Sequence, residues 1–73
     1  RVIGIEQDSR AKNYMSFTPS GPTLIILGNE VLGLSKQLRD TCDELLEIPM
    51  HGKKESLNVS VAAGIILFSA INR

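Results

Sequence analysis

"LIILGNEVLGLS", residues 24–35, decides the architecture. Leu24 to Leu27 are apolar at every position. A strand with one wet face alternates polar and apolar side chains, whereas an unbroken apolar run suits a parallel strand covered on both faces. With Thr23 in front, the run predicts a strand over Thr23–Leu27. Gly28-Asn29-Glu30 closes it, Gly33 restores flexibility, and Ser35 is a good helix N-cap. Leu34, Leu38 and Cys42 then recur at spacings of four, which predicts one apolar helical stripe.

The flanks continue the alternation. Val2-Ile3-Gly4-Ile5, a β-branched run bounded by polar residues, predicts a first strand. From Gln7 to Pro22 the chain is polar, with Ser20-Gly21-Pro22 as punctuation and at most a short helical turn around Arg10–Met15. Asp43 and Glu44 mark the helix exit. Leu45–Ile48 predicts a third strand, stopped by Pro49 because proline cannot donate to a ladder. After the loop at 51–55, Ser56 is placed to cap a helix reaching nearly to Arg73. That helix is apolar almost all round and is therefore expected to be buried. Strands alternating with helices predict an α/β fold, a parallel sheet with flanking helices.

Composition narrows the class. Seventy-three residues make one small domain, and a chain this size buries only ~60% of the surface its unfolded form exposes. Chains so short usually lean on disulfides, a metal or a partner. A single cysteine, Cys42, excludes an internal disulfide, and with a single histidine no structural zinc site is expected. Support is thus expected from association or from further chain, and a start at Arg1 rather than methionine fits a fragment. Eight basic and eight acidic side chains cancel, which removes a global field toward nucleic acid and leaves room for a local patch. A lone thiol and no visible targeting segment predict a cytoplasmic protein, with an organelle as the alternative for a eukaryotic source. The apolar stretch Leu57–Ile71 is broken by Asn58, Ser60 and Ser69 and falls short of the ~20 residues a membrane span needs.

In open α/β sheets, ligands bind outside the carboxyl ends of the strands. Two such ends are distinctive: Gly28-Asn29-Glu30, and Pro49-Met50-His51-Gly52 leading to the last helix. If the second and third strands are neighbours, both loops converge on one crevice. Glycines permit close backbone approach, and Met50 and Leu57 offer apolar contact, which fits an adenosine-type ligand. The phosphate-cradling glycine patterns are absent. Each polar candidate has a plainer reading. Glu30 is a carboxylate over the ligand or an acidic residue near a helix start, and spacing favours the second. Ser56 is an N-cap in either case. Asn58 is harder to dismiss, since a buried amide without a partner costs ~1–3 kcal/mol; either the first turn is exposed or Asn58 has a partner. His51, Lys53 and Lys54 read as solvated loop residues, and Cys42 as a small helix-face residue.

"LIILGNEVLGLS" (24–35), "CDELLEIPM" (42–50) and "SLNVSVAAGIILF" (56–68) together resemble the second and third motifs of the SpoU (TrmH-type) RNA methyltransferases of the SPOUT superfamily. The resemblance implies a trefoil-knotted α/β domain that transfers a methyl group from S-adenosyl-L-methionine to a ribose 2′-hydroxyl of rRNA or tRNA, commonly as a homodimer. By the same resemblance Gly28, Ile48, Met50 and Leu57 contact the cofactor, and Glu30, Ser56 and Asn58 are the polar residues around the cofactor and the target nucleotide. It implies that residues 1–73 are the C-terminal, cofactor-binding half of the domain, and that the isolated chain is inactive. Two departures stand out. Val31 and Leu32 replace the family's usual glycine and polar residue, and the first motif, with its Asn and catalytic Arg, is absent; Arg1 and Arg10 do not belong to it. The alternative from another class is a non-catalytic RNA-binding or dimerisation module of the same fold.

Overall fold

The computed structural model describes residues 1–28, 32–49 and 59–72. The elements are β1 (Val2–Ile5), β2 (Lys12–Asn13), a 3-10 turn (Tyr14–Ser16), β3 (Leu24–Leu27), α1 (Lys36–Thr41), β4 (Glu44–Glu47) and α2 (Val59–Ile71). The four strands form one sheet in the order β2-β4-β1-β3, and every pairing is parallel. The α/β fold read from the sequence is therefore present, with strand limits displaced by a residue: β3 opens at Leu24 rather than Thr23, and β4 runs one residue early.

β1 is the centre of the sheet. Ile3 pairs with Ile25 of β3 on one side and with Glu44 of β4 on the other. The second and third strands of the sequence reading are therefore not neighbours, because β1 lies between them. A local run of apolar residues specifies a covered strand but carries no information about which strand lies beside it. β2 has no apolar signature at all. Lys12 and Asn13 are exposed and join the far edge of β4 opposite Leu46 and Glu47. The Asn13 side chain then accepts from the Met15 N–H at 2.8 Å and caps the 3-10 turn.

The two faces of β1 bury different partners. Ile3 and Leu46 are fully buried with Phe17, and Ile5, Tyr14 and Ile25 pack around them. The opposite face carries Gly4, whose missing side chain is filled by Cys42, Leu45 and Leu34. This is where α1 docks. Ser35 caps it as expected, its Oγ accepting from the Leu38 N–H at 3.2 Å. Of the predicted stripe, Leu34 is buried and Cys42 half-buried, but Leu38 is 42% exposed, since a helix of six residues turns only part of its length to the sheet.

The last helix departs from expectation. It is apolar as predicted, yet of its described side chains Ile66 is the buried one. Val61, Leu67, Phe68 and Ile71 stand 49–80% exposed. A helix apolar all round that finds cover for one stripe needs some other surface for its remaining faces.

Replacing Gly4 by alanine tests the packing under α1. The new Cβ would lie 2.7 Å from Cys42 Sγ and 2.9 Å from a Leu45 methyl, and overpacking of this kind costs ~1–3 kcal/mol. Thermal denaturation of the full-length protein should show a lower Tm for Gly4→Ala; an unchanged Tm would mean that the α1 face is loosely packed.

Candidate functional site

A wholly parallel sheet sends all its carboxyl ends to one edge. β3 is followed by Gly28, β1 by Glu6 and β4 by Ile48. Continuing the register by one residue sets Glu6 beside Gly28 and beside Glu47, and the Glu6 N–H still donates to the Leu46 carbonyl at 3.0 Å. The two predicted loops thus leave from either side of β1, about 10 Å apart by two strand spacings. They share an edge, with the end of β1 between them. This is the position at which a sheet of this class receives ligands.

Of the residues singled out from the sequence, Gly28 and Ile48 are found here, both half-buried. Glu30, Met50, Ser56, Leu57 and Asn58 lie outside the described residues, as do Val31, His51, Lys53 and Lys54. The need for glycine at 28 is steric. A Cβ there would collide with the Gly33–Leu34 peptide, so the two ends of the loop touch backbone to backbone. Gly33 has φ +69°, in the left-handed region that glycine adopts without penalty, and its own Cβ would strike the Glu6 carboxylate.

Glu6 and Arg39 are the residues that sequence reasoning missed. Glu6 Oε2 accepts from the Leu34 N–H at 2.7 Å. Arg39, reaching back from α1, donates through Nη1 to the Leu34 carbonyl at 3.1 Å and lies 3.6 Å from Glu6 Oε2. The available signal was positional: Glu6 directly follows the first strand, a site as exposed to ligand as the two strand ends that drew attention.

Around this pair runs a chain of charges. Arg39 Nε lies 3.5 Å from Asp8, Arg10 bridges Asp8 and Asp40 at 3.1 Å each, and Lys36 reaches Asp40 at 2.8 Å. Hydrogen bonds from Arg10 hold Asp8 below the usual aspartate range, and those from Lys36 and then Arg10 do the same for Asp40. Burial, with Asp43 nearby, pushes the Cys42 thiol up, so it is protonated at neutral pH and a poor nucleophile. Among the described residues no cluster of His, Cys, Asp and Glu could hold a metal ion, and no helix is long and apolar enough to cross a membrane.

The model of the SpoU rRNA Methylase family matches residues 1–68. The chain belongs to that family. It is 49% identical over 72 residues to the 23S rRNA (guanosine-2′-O-)-methyltransferase RlmB of Ralstonia nicotianae, a match covering 99% of this chain and 28% of that protein. Among solved structures it is similar to the A. aeolicus TrmH/SpoU tRNA modifying enzyme, with TM-score 0.88 and 35% identity over 99% of this chain and 36% of the other. A second is the AdoMet-bound rRNA methyltransferase of Sinorhizobium meliloti, with TM-score 0.89 and 32% identity over 97% of this chain and 27% of that one. The chain spans 21% to 28% of the length of the curated relatives it matches. The fold is accordingly that of the SPOUT methyltransferases.

The site geometry makes two predictions. Gly33→Ala combines a left-handed backbone with a collision at Glu6 and should destabilise the full-length protein by ~1–3 kcal/mol, read as a fall in Tm. The acidic side chains set a pH window. Asp8 and Asp40 have folded-state pKa values below their ordinary 3.8, so the unfolded chain binds protons first as pH falls. Their contribution is complete above about pH 5, shrinks as pH drops through the ordinary carboxylate value, and is gone below the folded-state values. Replacing Asp8 by asparagine should flatten this acid limb in denaturation measured from pH 7 to pH 2, whereas an unchanged profile would remove Asp8 from it.

Proposed function

We propose that this chain is the C-terminal, cofactor-binding half of an RNA 2′-O-ribose methyltransferase, using S-adenosyl-L-methionine as methyl donor and rRNA or tRNA as substrate. The observation that carries the reading is the placement of Gly28 and Ile48 on either side of the β1 end, at the one sheet edge where a parallel fold takes ligands. Family membership supports the chemistry, and the AdoMet-bound relative supports the cofactor.

The residues fit that cofactor. Gly28 brings bare backbone to the crevice, where a side chain would already collide with the neighbouring peptide. A flat adenine ring read by backbone groups asks for such an approach rather than for charged side chains. Met50 and Leu57 are assigned, with Gly28 and Ile48, to cofactor contact. When bound, the cofactor presents an electrophilic methyl on a sulfonium. The protein must then orient the ribose hydroxyl and assist its proton, work that falls to polar groups held at the site. Glu30, Ser56 and Asn58 are assigned to it. An arginine outside these residues would complete the site in the full-length protein. The same reading includes the trefoil knot, a homodimer and, for a bacterial protein like its relatives, a cytoplasmic location.

A second reading has one observation in its favour. Leu32 is 82% exposed in the loop after β3, where a polar lip would serve RNA better. On that reading the domain is a non-catalytic RNA-binding or dimerisation module.

Incubating the full-length protein with tritiated S-adenosyl-L-methionine and bulk rRNA or tRNA separates the two. The enzyme should label RNA at a nucleotide whose 3′ phosphodiester then resists alkaline cleavage, because a methylated 2′-oxygen cannot attack it. RNA binding without label would establish the module instead. In the same assay Asn58→Ala should lower turnover at least ~100-fold, as expected for a group that orients or relays the proton, with the Tm unchanged. Near-normal turnover would place Asn58 outside the site.

A further inference from the structure

We infer that Glu6 and Arg39 are positioning residues for the cofactor loop, holding the Leu34 backbone through the two peptides that flank its Cα and thereby setting where Gly28 presents its backbone. The inference rests on the proposed cofactor site and adds to it two residues outside the motifs that define the resemblance.

Leu34 needs no polar anchor to stay in the core, because its side chain is already 3% exposed and packed beside Gly4. Its backbone is nevertheless held on both sides of the Cα, at the Gly33–Leu34 and the Leu34–Ser35 peptides. Glu6 accepts from the N–H at 2.7 Å, and Arg39 donates to the carbonyl at 3.1 Å. Two hydrogen bonds of this kind do little to fix a side chain. They fix the orientations of the two peptide planes that meet at the Leu34 Cα, and hence the direction in which residue 33 leaves. That direction matters because the Gly33–Leu34 peptide is the surface on which Gly28 rests, close enough that a Cβ at 28 finds no room. A rotation at Leu34 therefore transmits to Gly28 by contact.

The anchor points themselves are rigid. Glu6 is tied to the sheet by its own N–H to the Leu46 carbonyl and is the residue directly after the central strand. Arg39 is fixed on α1 and lies 3.5 Å from Asp8, yet its buried Nε makes no hydrogen bond. A guanidinium held at that cost is placed for what its other nitrogen does, and Nη1 reaches both the Leu34 carbonyl and, at 3.6 Å, the Glu6 carboxylate. The group thus joins sheet, helix and loop at one residue, Leu34. Support of this kind, in which a residue that never touches the ligand orients one that does, is what holds a binding site to its working geometry.

The test uses the full-length protein, with S-adenosylhomocysteine affinity by calorimetry, steady-state methyl transfer over a range of S-adenosyl-L-methionine, and hydrogen exchange of the segment 28–35. Glu6→Ala removes a charge-assisted hydrogen bond and should raise the Kd and the KM for the cofactor about ten- to a hundredfold, with kcat at saturation changed far less. Exchange across the segment should quicken in the absence of cofactor. Glu6→Gln keeps an acceptor for the Leu34 N–H and should recover most of the affinity. Arg39→Lys replaces a planar fork by a point charge and should raise the KM in the same sense, which provides an independent measurement should Glu6→Ala fail to fold. A lower Tm with Kd and KM unchanged in the folded variants would reduce the pair to a structural role and overturn the inference. Wild-type protein that binds no S-adenosylhomocysteine would overturn the functional reading and the inference with it, a result distinct from intact wild-type binding that the variants leave unaltered.

Discussion

The pairing of β1 with β3 on one side and β4 on the other is the constraint on which the molecule depends. Parallel neighbours cannot be joined by tight hairpins, so each pairing obliges the chain to cross the sheet before returning. The crossings place α1 against Gly4 and carry the chain from one side of β1 to the other. They also bring the ends of β3 and β4 to the same edge with Glu6 between them. Every candidate contact to a ligand is then a consequence of where β1 stops. Gly4 makes this affordable sterically: a larger residue would push away the cysteine, leucines and helix that cover the strand.

The ionic chain beside that edge is easily misread as a source of stability. Arg10 and Lys36 are more than half exposed, and pairs of that kind contribute ~0–1 kcal/mol each. The cancellation of eight acidic and eight basic side chains in the composition is thus realised partly as local pairing, with Asp8 and Asp40 both engaged by cations. What distinguishes Glu6 and Arg39 from the rest is that both also bond backbone groups of one residue, Leu34. Geometry, rather than summed attraction, is what such contacts supply.

The strands were legible because β-branched and leucine-rich runs bounded by polar residues, glycine or proline have few other uses in so short a chain. Ser35 was legible as a cap because the hydroxyl has one obvious task at that place. Strand order was not, since neither Val2–Ile5 nor Leu24–Leu27 carries any mark of its neighbours. β2 escaped notice for the opposite reason: two exposed polar residues pair through backbone alone, and backbone leaves no trace in composition. At the site, Gly28 and Ile48 were read from strand ends and motif resemblance and do lie at the common edge. Glu6 was overlooked because a single acid after a strand looks like ordinary punctuation. Its significance arises from Gly33 and Leu34, some thirty residues away in sequence, and no local pattern connects them.

The last helix shows what a local pattern can and cannot promise. Ser60 and Ser69 are too few to mark out a wet face of α2, so the sequence predicts cover all round without saying where the cover comes from. In the structure that cover reaches Ile66, and Val61, Leu67, Phe68 and Ile71 stay exposed. Beside Tyr14, the helix instead walls an open groove with Val61, Gly64, Ile65 and Phe68. Burying a leucine, isoleucine or phenylalanine side chain is worth ~1.5–3 kcal/mol, and a thirteen-residue helix is marginal without such packing. The stability of α2 therefore cannot be local. In the proposed enzyme it would come from further chain or from a second copy laid over Phe68 and Ile71. The segment leading into that helix carries Ser56, Leu57 and Asn58. Whatever covers α2 would then also steady the residues assigned to the reaction, which couples assembly of the protein to the precision of its site.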